Sequence, residues 1–299
     1  MAALTRFLVL ASLLFIALSA PLRAQTDSSL QDRIRTAWQD AIKAAVRGPA
    51  PIALGDQATL NLTDAYMFVP KAEATAVMLA MGNSAGSGFL GLVVPKSEDQ
   101  YWFVTIDHTA EGYVSDDEAR EWDADEMLHS LIDGSVEQNK ERAKIGVPAL
   151  EVIGWIEPPH YDSSTHKLIW SLRAKDHGAP ADAAATVNYN TYALGRDGFF
   201  ELNLVTSEDV IDKEKEYARQ LLAALEYKAG KRYDDFNANT DRIAEYGIAA
   251  LIGGIAAKKL GLLAVIGVFF AKFAKLILVG FAIAGGAIFK FFRRGSGEG

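Results

Sequence analysis

The sequence predicts an α+β domain, one antiparallel sheet covered by helices, followed by a C-terminal membrane-embedded helical segment. Three observations carry that expectation. β-Branched and aromatic runs come in groups joined by short turn-rich segments, which favours antiparallel pairing. Runs with helical spacing lie between those groups instead of alternating strictly with them. From Tyr246 to Phe292 the chain is apolar, broken only by Lys258-Lys259, Lys272, Lys275 and Lys290.

The chain opens with the three parts of an export signal. Arg6 supplies the charged region, Phe7 to Leu18 form the apolar region, and small residues follow. Cleavage after Ala24 fits best, because a cut after Ala20 would place Pro21 first in the mature chain. An uncleaved anchor is the alternative, disfavoured by the short apolar run. Residues 1–24 are therefore read as a signal peptide, 25–240 as an exported (periplasmic) domain and 241–299 as a transmembrane anchor with a basic cytoplasmic end.

Ser28 to Arg47 reads as an amphipathic helix through Leu30, Ile34, Trp38, Ile42 and Val46, and Gly48-Pro49 ends it. Pro70 to Met81 is expected as a second helix, stopped at Gly82-Asn83. Asp123 to Ile145 is the third, with Met127, Leu128, Leu131, Ile132 and Val136 on one face. The fourth runs from Glu208 to Leu225, capped by Thr206 or Ser207, with Val210, Tyr217, Leu221, Leu222 and Leu225 inward. Strands are expected at Phe89–Val94, Tyr101–Asp107, Leu150–Glu157, Lys167–Arg173, Thr186–Leu194 and Phe199–Val205.

The last two strands form a hairpin closed at Gly195-Arg196-Asp197-Gly198. Its parity puts Val187, Tyr189, Thr191 and Ala193 on the core face with Phe200, Leu202 and Leu204. Asn188, Asn190 and Tyr192 share the other face with Glu201 and Asn203, a mix of amides and an aromatic able to bind a ligand or peptide. A solvated outer face is the plainer reading and carries more weight.

Charge divides the molecule. The chain totals −8; the signal segment holds +2 and the tail from Tyr246 holds +6, which leaves −16 on the domain between them. So acidic a surface repels nucleic acid, and no nucleic-acid partner is expected. There is no cysteine, so disulfides, thiolate metal sites, thiol nucleophiles and a lipoprotein anchor are excluded.

The lysines cut the tail into runs shorter than about 18 residues, so no stretch is a clean span. One helix from Leu260 to Phe289 would be about 45 Å long. Lys272 and Lys275 would then lie near its middle, at a cost on the order of 3 kcal/mol each. A hairpin is the alternative. Lys258, Lys259, Lys272, Lys275, Lys290, Arg293 and Arg294 are expected at the membrane interface. One crossing places Lys290, Arg293 and Arg294 in the cytoplasm, with Ile248 to Ala257 as an amphipathic or re-entrant lead-in. Gly280 and Ala284 have the spacing that lets helices approach, so self-association through the glycine-rich tail is one option beside ordinary transmembrane glycine usage.

Three segments resemble a known family. They are Gly112-Tyr113-Val114-Ser115-Asp116-Asp117 leading into Trp122-Asp123-Ala124-Asp125; Gly154-Trp155-Ile156-Glu157-Pro158-Pro159-His160-Tyr161-Asp162 through Thr165-His166-Lys167-Leu168-Ile169-Trp170-Ser171; and Asn188-Tyr189-Asn190-Thr191. With Ala256-Ala257-Lys258-Lys259-Leu260-Gly261-Leu262-Leu263 they are similar to a bacterial family of membrane-anchored proteins labelled domain of unknown function 2167. The resemblance supports a bacterial envelope location and a C-terminal anchor; with the export signal and the basic tail, the expected location is the bacterial inner membrane with the main domain in the periplasm. It supplies no activity and no catalytic residues.

His160, Asp162 and His166 lie in one loop between two strands. Two imidazoles and a carboxylate suit a metal, and Ser163 or Ser164 beside His166 hints at nucleophile and base. Asp162-Ser163-Ser164-Thr165 is also ordinary turn chemistry, and that reading carries more weight. The acidic run Asp116, Asp117, Glu118, Glu121, Asp123, Asp125 and Glu126 offers oxygens for a hard cation, but acids also belong at a helix start. The sequence therefore points first to a non-enzymatic, membrane-anchored envelope protein that binds a membrane or periplasmic protein partner or senses the membrane lipid. No cofactor is expected. A tethered hydrolase or metal-dependent enzyme using the His160–His166 loop is the alternative, and an ion-permeable tail assembly a weaker third.

Overall fold

The computed structural model describes residues 31–252, apart from 84, 98, 121, 145–148 and 179–184. The expected signal peptide and the anchor beyond residue 252, with all seven basic interface residues, lie outside the described residues. Among the described residues, no helix is long and apolar enough to cross a membrane.

Helix α1 occupies residues 31–44. It is shorter than expected at its C-terminal end, because Val46–Arg47 (β1) pairs with a strand. Gly48 then passes so close to the backbone that a Cβ would lie 1.9 Å from the Thr63 carbonyl oxygen. β2 (Ala50–Leu54), β3 (Ala58–Leu62) and β4 (Tyr66–Pro70) follow, then α2 (Lys71–Ala80), β5 (Phe89–Pro95) and β6 (Phe103–Thr109). α3 is Ala124–Lys144, β7 Leu150–Asp162, β8 Lys167–Asp176, β9 Thr186–Gly195 and β10 Gly198–Ser207. α4 (Ile211–Ala224), β11 (Leu225–Tyr227) and the 3-10 turn Ile248–Leu251 complete the described chain.

The strands make two antiparallel sheets, where one was expected. Eight strands run in the order β1-β4-β5-β6-β10-β9-β8-β7, and β11-β3-β2 form a second, three-stranded sheet. The four strands between α1 and α2 are not among the expected ones, although in β2 and β3 Ile52, Leu54, Ala58, Leu60 and Leu62 alternate with outward residues around a Gly55 turn. The β9–β10 hairpin has the expected parity, with Gly195 opposite Gly198, Leu202 opposite Thr191 and Asn203 opposite Asn190.

One face of the large sheet is covered by α4 and the small sheet. Tyr189, Phe200, Leu202 and Leu204 meet Ile211, Ala218, Leu221 and Leu222 of α4, with Leu54 and Leu60 beside them. The expected caps of α4 do not act: Thr206 and Ser207 stay in the ladder opposite Val187 and Thr186, and the helix starts after Val210. Val210 is exposed and not inward.

The opposite face is covered as well, and this overturns the expectation of a solvated outer face. At one end α1 and α2 place Ile34, Val77, Met78 and Met81 on Val69, Leu92 and Phe103. At the other, Met127 of α3 and residues 244–252 close over Leu168, Trp170, Tyr192 and Leu194. On α3 the buried line is Met127, Leu131 and Ser135, while Val136 is 56% exposed. The packed unit therefore runs past the expected boundary at residue 240.

Candidate functional site

The segment that precedes the apolar tail is built into the domain. From Arg242 to Ile252 it lies as an arm along residues 110–118. Tyr113 N donates to the Arg242 carbonyl at 2.8 Å, Ala244 N to Tyr113 O at 2.8 Å and Ile248 N to Ser115 O at 2.9 Å. Glu118 Oε1 accepts from Ala249 N at 2.9 Å, and Trp170 Nε1 donates to the Leu251 carbonyl at 3.1 Å. Ile248 and Ile252 have no exposed surface. Gly112 permits the close approach: its φ is +100°, and a Cβ would meet the Arg242 carbonyl oxygen at 2.6 Å.

A second set of contacts ties the β7–β8 tip to the same place. Tyr161 donates to Asp116 Oδ2 at 2.6 Å, which uses its one hydroxyl hydrogen. His166, at φ 54°, therefore donates from Nδ1 in its 3.1 Å contact with the Tyr161 oxygen. Its Nε2 faces Asp234 Oδ1 at 3.2 Å, and its ring lies 4.2 Å from that of Tyr233. Tyr233 stacks on Tyr113 and donates to Val114 O at 2.9 Å. Burial, then the Asp116 hydrogen bond, pushes the Tyr161 phenol far above its ordinary range. Arg196 completes the frame with two bonds to Asp241, at 2.6 and 2.8 Å. These bonds, first of all, hold the Asp241 carboxyl well below the usual carboxylate range.

The predicted trio does not assemble. His160 pairs with Ile169 and faces the α4 side, where it lines a groove with Asp162. His166 faces the arm on the opposite side of the sheet. Asp162 is spent on its turn, accepting from Ser164 N at 2.9 Å, Ser164 Oγ at 2.6 Å and Thr165 Oγ1 at 2.9 Å. These bonds lower its carboxyl to about 2. Turn chemistry accounts for the run. Among the described residues no group of three or more His, Asp or Glu could hold a metal ion.

The acidic stretch is likewise structural. Asp123 Oδ1 caps α3, accepting from Asp125 N at 2.8 Å and Glu126 N at 3.0 Å. Asp116 and Glu118 hold the hairpin tip and the arm. The acids are visible in the sequence; the partners Tyr161, His166 and Ala249, brought to them from up to 131 positions away, are not.

The amide row is interior. Asn190 and Asn203 are 2% and 0% exposed, Tyr192 is 1% and Glu201 6%, with Asp107 of β6 opposite Glu201. Asn203 Nδ2 donates to Asn188 Oδ1 at 3.2 Å, Asn190 Nδ2 to Asn188 O at 3.2 Å, and Tyr192 to Glu201 Oε1 at 3.3 Å. Burial first, then the Glu201 and Asp107 carboxylates, pushes the Tyr192 phenol well above its usual range. The row is a hydrogen-bonded layer between two apolar clusters, not an open binding face.

Three segments thus converge on the arm: residues 112–118, the 155–170 hairpin and, behind Trp170, Asn190. They are the segments that carry the family resemblance. No curated protein matches the chain. Among solved structures it is similar to the solution structure of cyanobacterial PsbP (CyanoP) from Synechocystis sp. PCC 6803. The identity is 12%, over 58% of this chain and 88% of that one, with a TM-score of 0.35, a likeness that bears on neither fold nor function. The family model described as "Protein of unknown function (DUF2167)" matches residues 46–282, and the chain belongs to that family.

Proposed function

We propose that this chain is a membrane-tethered bacterial envelope protein whose periplasmic domain acts by binding a partner, and that it works in a fixed orientation at the inner membrane. The observation that carries the reading is the arm: Ile248, Leu251 and Ile252 belong both to the apolar C-terminal stretch and to the domain core. Up to Ile252 the chain is held in the core, with no free linker among the described residues. A domain held this way has little reach, which suits a partner in or on the same membrane. The family match runs from residue 46 to 282, across both parts.

The enzyme alternative loses its motivation, because His160 with Asp162 and His166 stand on opposite faces. The test is to insert a flexible glycine-serine linker of about twelve residues after Ile252, long enough to free the domain's orientation. Cross-linking in intact cells followed by capture should give one dominant partner for the native chain and lose it in the linker variant. Full cellular function and the same cross-links in the linker variant would refute the reading.

A further inference from the structure

A groove of about 340 Å³ lies on the α4 side of the β7–β8 hairpin, away from the arm. Its apolar lining is Ile169, Leu222 and Ala223; Lys167, His160 and Arg219 also line it. Two acids also line it, and both are engaged. Glu157 accepts Arg219 Nη2 on both oxygens, at 2.7 and 2.9 Å, and the Tyr189 hydroxyl at 2.8 Å. Asp162 is saturated by its own turn.

Lys167 is different. It is partly buried, and among the described residues no hydrogen bond or ion pair holds its ammonium group, although Asp162 is its cross-strand partner. Burial pushes its pKa down and outweighs the upward pull of Asp162, the mark of a cation short of solvent. Polar groups at the rim of an apolar groove are the usual makings of a small-molecule site.

We propose that this groove binds a phosphate or carboxylate group on Lys167, assisted by His160, with the ligand's hydrocarbon part on Ile169, Leu222 and Ala223. The inference stands apart from the tether, since it needs neither the arm nor the tail. Such a ligand comes either from an amphiphile or from a free anion, and two probes separate them. Calorimetric titration of the full-length protein in nanodiscs would use hexyl phosphate and inorganic phosphate.

Saturable binding of hexyl phosphate that weakens at least tenfold in Lys167→Met and stays within threefold in Lys167→Arg is the expected result. Equal, Lys167-dependent binding of inorganic phosphate would keep the site and assign it to free anions. Ala223→Trp, at an exposed α4 position that lines the groove, places an indole there and should abolish binding of both. Absence of saturable binding, or binding unchanged in both Lys167→Met and Ala223→Trp, would overturn the proposal.

Discussion

Replacing Ile248 by alanine tests whether the arm is part of the core. Ile248 has no exposed surface and packs with Val114, Leu168, Trp170 and Tyr192. The change removes three buried carbons, worth about 2.4 kcal/mol at ~0.8 kcal/mol each. The cavity left behind raises the loss to about 3–4 kcal/mol. Backbone bonds of the arm are unaffected, since Ile248 uses its main-chain N to reach Ser115 O. Ile243, five residues earlier and 56% exposed, is the internal control. Ile243→Ala should cost less than about 0.5 kcal/mol. Urea unfolding of the full-length chain, followed by tryptophan fluorescence, should move the Ile248→Ala midpoint down by about 1–1.5 M with the slope unchanged. Equal midpoints for the two variants, or a loss below about 0.5 kcal/mol at Ile248, would refute the reasoning.

Three further outcomes follow from the geometry. Trp170→Phe keeps an aromatic ring but leaves the Leu251 carbonyl without its donor, so urea unfolding should show a loss of about 1–3 kcal/mol. Asp162 should titrate near 2 by carboxyl-carbon NMR, and Ser164→Ala should move it back toward 3.8; stability from these bonds is full above 3.8 and lost as the pH falls through about 2. His108 sits against Phe200 with ring centroids 4.6 Å apart, and burial lowers its pKa from 6.5, outweighing the pull of Asp197 and Asp56. Its native form therefore binds fewer protons than the unfolded chain, so stability present above 6.5 falls as the pH drops toward the lowered value. His108→Phe should flatten that part of the urea-midpoint profile between pH 7 and 5, and an unchanged profile would contradict the assignment.

Much of the architecture was legible because it rests on local periodicity. The β9–β10 hairpin announces its register through alternation and its Gly195–Gly198 turn, and α2, α3 and α4 end within a few residues of their predicted limits. What was not legible is long-range. Asn190 and Asn203 look like solvent-facing residues, because a polar strand face reads the same whether water or a hydrogen-bonded layer meets it. By sequence the arm reads as membrane lead-in, because Ile248 and Leu251 are equally apolar in lipid and against Trp170. The His160–His166 loop suggested a site because residues near in sequence were assumed near in space; strand pleating sends His160 and Tyr161 to opposite faces.

Hydrogen–deuterium exchange of the full-length protein in nanodiscs tests the central claim most directly. The account predicts that amides of residues 248–252 exchange as slowly as those of β9 and β10, and that peptides between residues 260 and 289 are shielded by the bilayer. Exchange of residues 248–252 within seconds, as in a free linker, would contradict it.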